Sequence, residues 1–136
     1  MFDQYSYLYV EDDPLSQEIM RMIMAHGMGV ENLMIFDNSQ DFMKRTLGLN
    51  PKPEIIMLDI HISPLDGFEM LSLLRSNRDF RETKIIALTA SVMNEEVEKL
   101  RRAGFDGAIA KPLSLHTFPG LMQQIIAGEH VWHVAQ

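Results

Sequence analysis

The chain has 136 residues, 46% of them hydrophobic and 23% charged, which fits one ordinary soluble domain with a substantial core and leaves no room for long disordered or low-complexity stretches. It contains no cysteine, which excludes disulfides, thiolate metal sites and a cysteine nucleophile. The formal net charge of -7 argues against direct nucleic-acid binding, which draws its affinity from Lys and Arg neutralising phosphates. Only Arg101-Arg102 and the Arg75, Arg78 and Arg81 region are locally basic, and solvated helix faces account for both. Met1-Phe2-Asp3-Gln4 lacks the basic start and apolar run of a signal peptide, and no stretch approaches the roughly 20 apolar residues of a membrane span, so a cytoplasmic, non-membrane protein is expected.

Five short apolar runs read as buried strands: 5–10, 33–36, 55–58, 85–88 and 108–110. They are continuous rather than alternating, as strands of a parallel sheet covered on both faces must be. Helical patterns lie between them. After the first run, Asp13-Pro14 is a helix start, Leu15, Ile19, Met22, Ile23 and His26 make an apolar stripe, and Gly27 is a stop. A second helix is expected over 39–49. A third follows Gly67, with Phe68, Leu71 and Leu74 on one face. The fourth carries Met93, Val97 and Leu100 and ends at Gly104. The fifth spans 115–126, where Pro119 is tolerable only within the first turn. This alternation predicts a doubly wound α/β fold with a five-stranded parallel sheet in the flavodoxin-like order 2-1-3-4-5, a core over about 5–127 and a C-terminal tail from 128.

In such sheets ligands bind at the carboxyl ends of the strands, where the strand order reverses. Glu11, Asp12 and Asp13 follow the first strand there, and Asp59 follows the third. Taken singly, each carboxylate could merely cap a helix, as Asp13 before Pro14 does. Taken together, Glu11, Asp12 and Asp59 concentrate negative charge that calls for a hard cation, Mg²⁺ or as a substitute Mn²⁺. Thr89 after the fourth strand and Lys111-Pro112 after the fifth add a hydroxyl and an ammonium at the same edge. That set is suited to a phosphoryl group.

In these residues, and from about Tyr7 to Ile126, the chain resembles the receiver domains of two-component response regulators, of the chemotaxis type. Glu11-Asp12 resembles the family's acidic pair, Asp59 its phospho-acceptor, Thr89 its switch hydroxyl and Lys111-Pro112 its Lys-Pro. Asp66-Gly67 is similar to the family's start of the third helix. The resemblance implies Mg²⁺ held by Asp12, Asp59 and the backbone carbonyl of His61, with Glu11 acting through water. It implies phosphorylation of Asp59 by a histidine kinase or a His-containing phosphotransfer protein, contacts from Lys111, Thr89 and the Ala90 amide to the phosphoryl oxygens, and slow self-catalysed hydrolysis with no external substrate turned over. It also implies a cis Lys111-Pro112 bond.

Three positions depart from the family pattern. Ala108 stands where an aromatic is usual, three residues before the Lys, so no ring can rotate there and Thr89 with the following loop is left as the switch. Ser63 replaces the usual proline four residues after the acceptor, with Pro64 one place later. His61 lies two residues after the acceptor, where its ring is expected to influence dephosphorylation, unless only its carbonyl matters. In the tail, Trp132 with Val131 and Val134 is expected to pack back on the domain rather than to await a partner. The start at Met1 suggests a stand-alone receiver with an unknown downstream protein target. The stretch Ala87-Leu-Thr-Ala90 resembles receivers attached to sensor kinases, so a module of a hybrid kinase or multidomain regulator is the alternative. A non-phosphorylated pseudo-receiver, a phosphatase and a flavin protein are weaker readings.

Overall fold

The computed structural model describes residues 1–90 and 93–133. Six parallel strands form one sheet in the order β2-β1-β3-β4-β5-β6: β1 Tyr7–Val10, β2 Met34–Phe36, β3 Ile55–Asp59, β4 Lys84–Thr89, β5 Gly107–Ala110 and β6 Val131–His133. The first five follow the expected order. The sixth corrects the five-stranded expectation: residues 131–133 add themselves to the edge of β5, with Gly107, Ala108 and Ile109 aligned to Val131, Trp132 and His133. Two small residues make this possible. A Cβ on Gly107 would stand 2.9 Å from the Val131 carbonyl oxygen, and Ala108 leaves space on the face where Trp132 packs. Val134 lies outside the described residues.

The α-helices are α1 Pro14–Met22, α2 Phe42–Leu47, α3 Gly67–Arg75, α4 Asn94–Ala103 and α5 Phe118–Ile126. Among the described residues no helix is long and apolar enough to cross a membrane. Successive strand residues point to opposite faces, so β1 sends Leu8 and Val10 into one core and Tyr7 and Tyr9 into the other. The first core is closed by Phe42 of α2, Met70, Leu71 and Leu74 of α3 and Leu100 of α4. The second is closed by Met20 of α1 and by Phe118, Met122 and Ile125 of α5. Every residue of β1 and β3 is buried, which explains the unbroken apolar runs.

Caps set the helix ends. The Asp13 carboxylate accepts from the Ser16 amide at 2.9 Å, with Pro14 in the first turn of α1. Gly104 ends α4 at φ 104, in the left-handed region. Pro119 falls in the first turn of α5, where its missing N–H costs nothing. Two helices start later than expected. α2 begins at Phe42 because the Ser39 hydroxyl is tied across to Leu65, donating to its carbonyl and accepting from its amide at 2.7 Å each, and Asp41 adopts a left-handed φ of 51. In α5, residues 115–117 form the turn leading into the helix. At the end of the sheet remote from the acidic residues, Arg75 donates to Asp106 at 2.7 Å and to the Thr83 carbonyl at 2.9 Å, joining α3 to the starts of β4 and β5.

Candidate functional site

The carboxyl ends of β1, β3, β4 and β5 deliver Glu11, Asp12, Asp59, Thr89 and Lys111 to one edge of the sheet. β1 and β3 are direct neighbours, with Val10 aligned to Leu58, so the next residues of each strand emerge side by side. One oxygen from each of Glu11, Asp12 and Asp59 lies within 4.8 Å of the others. Glu11 is fully buried, Asp59 is buried and Asp12 is exposed. From the far side of β4, Lys111 reaches across to place its Nζ 2.7 Å from Glu11 Oε1 and 3.7 Å from Asp59 Oδ2. The Lys111-Pro112 peptide bond is cis. Thr89 is buried at the end of β4, and Ala90 is exposed beyond it.

Each group has a definite set of partners. Glu11 Oε1 accepts from both the Lys111 ammonium and the Tyr9 hydroxyl, the latter at 2.8 Å, and Oε2 accepts from the Asp13 amide at 3.2 Å. Asp59 Oδ1 accepts from the His61 amide at 3.2 Å. Burial, and then the adjacent Glu11, push the Asp59 carboxyl up to about 6, against the opposing pull of Lys111 and the His61 amide. Burial also works against the charge on Glu11, but the hydrogen bonds from Lys111 and Tyr9 prevail and hold its carboxyl below the usual value. Lys111 pays a similar desolvation penalty, yet Glu11 and Asp59 hold its ammonium above its ordinary range.

The donors are all oxygens, they are crowded, and burial together with the adjacent Glu11 raises the Asp59 carboxyl. This is the pattern a hard divalent cation relieves, and Asp12, Asp59 and Glu11 fit such an ion. The loop after Asp59 is fixed from below: the Gly67 amide donates to the Ile60 carbonyl at 3.1 Å, and Asp66 and Glu69 form a reciprocal cap at the start of α3. A Cβ on Gly67 would lie 2.9 Å from Ile60 Cα. Gly67→Ala is therefore expected to displace this loop and to lower stability by about 2 kcal/mol in urea unfolding. A loss below about 0.5 kcal/mol would show that the contact is slack.

Of the other positions marked in the sequence, His61 is exposed and lines a groove of about 370 Å³ with Asp12, Asp66, Glu96 and Lys99. Ala108 is fully buried in the core beneath α4, away from the acidic edge, aligned with Trp132. Trp132 is half-buried, with the Arg101 guanidinium 5.1 Å from its ring centre, and Val131 is buried, so these two residues of the tail pack back on the domain. One participant was missed in the sequence. Tyr9 read only as an apolar strand residue, although a tyrosine two places before a glutamate shares its face and can reach it.

A family model described as the response regulator receiver domain matches residues 7–123. The chain belongs to the response-regulator receiver family. Among curated relatives, this receiver is similar to the polar-differentiation response regulator DivK of Brucella anthropi, with 26% identity over 113 residues, 83% of this chain and 89% of the relative. Its fold matches the receiver domain of a sensor histidine kinase from Pseudomonas aeruginosa PAO1, described with a magnesium ion coordinated in the active site cleft. There the TM-score is 0.78 at 22% identity, covering 91% of this chain and 98% of that one. It also matches the chemotaxis response regulator CheY4 of Vibrio cholerae, with a TM-score of 0.78 at 16% identity over 89% of this chain and 98% of that one. Receiver domains work in two-component systems, bind Mg²⁺ at an acidic pocket and accept phosphate from histidine kinases or phosphotransfer proteins.

Proposed function

We propose that the 136 residues act as one cytoplasmic receiver unit that takes a phosphoryl group on Asp59 and signals by changing the surface around Thr89. The observation that carries this reading is the placement of Asp59: a buried carboxylate, like-charged with Glu11, with the Lys111 ammonium 3.7 Å away and Asp12 beside it. Asp12, Asp59 and the His61 carbonyl would hold Mg²⁺, or Mn²⁺ in its place, with Glu11 outside them; the ion supplies neutralisation of charge on the phosphoryl oxygens.

An Asp59 oxygen attacks the phosphorus of a phosphohistidine carried by a kinase or phosphotransfer protein. The new O–P bond forms as the P–N bond breaks, and the protonated imidazole departs neutral with the electron pair. Lys111, the Thr89 hydroxyl and the Ala90 amide receive the phosphoryl oxygens. Hydrolysis reverses the modification when water attacks phosphorus and Asp59 leaves as carboxylate, and His61, at the rim of the groove, governs the approach of that water. Beside Lys111, an apolar cleft of about 260 Å³ lined by Leu15, Ile19, Leu113 and Pro112 suits the docking of the phosphohistidine carrier. With Ala108 fully buried and lacking a ring, the shift of Thr89 is the switch.

Incubation with acetyl phosphate and Mg²⁺ followed by intact-mass measurement tests this. One phosphate adduct is expected on the wild-type chain, and none on Asp59→Asn or after chelation of the metal. An adduct of equal yield on Asp59→Asn would assign the chemistry elsewhere.

A further inference from the structure

We propose that Tyr9 is a positioning residue for phosphoryl transfer: its buried hydroxyl is the standing donor to Glu11 that frees Lys111 to turn toward the group arriving on Asp59. The proposal rests on Asp59 being the acceptor. Tyr9 and Glu11 are both 0% exposed, so neither can exchange its partner for water. Two donors converge on one oxygen, Glu11 Oε1: the Tyr9 hydroxyl at 2.8 Å and the Lys111 ammonium at 2.7 Å. They differ in freedom. The tyrosine ring is clamped in the core between α1 and α5, whereas the lysine side chain retains 20% of its exposure and already stands 3.7 Å from Asp59.

A phosphoryl group on Asp59 adds negative charge beside Lys111 and draws the ammonium off Glu11. An Oε1 left without a donor would be a buried charge with its hydrogen bond unmade, a costly state that would hold Lys111 back. The Tyr9 hydroxyl removes that obstacle, because it stays on Oε1 when the lysine leaves. With phenylalanine in its place, Lys111 is the one donor to Oε1 left among the described residues and is retained by Glu11. Tyr9 touches neither the acceptor nor the incoming group. Its effect passes through Glu11 to Lys111, and it should alter the maximal rate without altering the affinity for the metal.

The test is the rate of adduct formation by intact mass, with acetyl phosphate as donor over a range of Mg²⁺ concentrations, for four chains: wild type, Tyr9→Phe, Glu11→Gln and the double variant. Tyr9→Phe is expected to lower the maximal rate about tenfold and to leave the half-saturating Mg²⁺ concentration within twofold, since a hydrogen bond to a buried charge is worth roughly that factor. In the Glu11→Gln background the same substitution should change the maximal rate less than twofold, because the charge it serves is gone. A Tyr9→Phe rate within threefold of wild type overturns the proposal. So does a loss of Mg²⁺ affinity proportional to the loss of rate, or a full tenfold loss in the Glu11→Gln background. A wild-type chain that gains no phosphate on Asp59 overturns the acceptor reading itself, and the role of Tyr9 with it.

Discussion

Metal-free Asp59→Asn will melt about 6 °C above the wild-type chain at pH 7.5, and the gap will narrow as the pH falls toward 4. The folded structure pushes the Asp59 carboxyl from 3.8 up to about 6 through burial and the charge on Glu11. A carboxyl raised on folding contributes its stability below its unfolded value and loses it as the pH rises through its folded value. Between about pH 4 and pH 7 the wild type therefore surrenders stability that the neutral amide keeps. Part of the shift belongs jointly to Asp59 and Glu11, so about 2 kcal/mol is the expected difference, or about 6 °C for a domain of this size. Mg²⁺ should then stabilise the wild type more than Asp59→Asn, because the ion binds only the folded site and Asp59 is among its ligands. Thermal melts at pH 4.5, 6 and 7.5, with and without Mg²⁺, measure all of this. An equal melting temperature for both chains at every pH would mean that the carboxylate pays no desolvation penalty in the fold.

Lys111→Met should act in the opposite direction, costing about 3 kcal/mol in metal-free urea unfolding at pH 7.5. The ammonium bridges a fully buried carboxylate and the raised carboxyl of Asp59, and its removal leaves two adjacent acids without a cation. Losing one member of a buried pair typically costs about 3–5 kcal/mol. The lower end applies here because Glu11 keeps the Tyr9 hydroxyl and the Asp13 amide. Combining Lys111→Met with Asp59→Asn should recover about 1 kcal/mol more than the roughly 2 kcal/mol that Asp59→Asn gains in the wild-type chain, since without the ammonium the repulsion that Asp59→Asn relieves is larger. Strictly additive effects would show that Lys111 answers to Glu11 alone.

Much of this was legible in the sequence because strands buried on both faces advertise themselves as unbroken apolar runs, and because chemistry at the end of a strand is tied to the strand's position. Glu11, Asp12, Asp59, Thr89 and Lys111 could be assigned to one edge from the order of the runs alone. What escaped depended on contacts between distant segments. Val131-Trp132-His133 is too short to show a period, and its pairing follows from small side chains at Gly107 and Ala108, which had registered only as a missing aromatic. The late start of α2 depends on Ser39 being bound to Leu65, 26 residues away. Tyr9 counted as apolar because its ring is, while the hydroxyl that matters is decided by what stands two residues ahead of it.

The sheet ends on each side in a strand of only three described residues, Met34–Phe36 at one margin and Val131–His133 at the other. A long bare margin offers unsatisfied amides and carbonyls on which a foreign strand can nucleate. By laying Val131–His133 along β5, the chain covers the outer amides and carbonyls of that strand. The same three residues that complete the fold should thus keep it from stitching itself, edge to edge, into fibrils at high concentration.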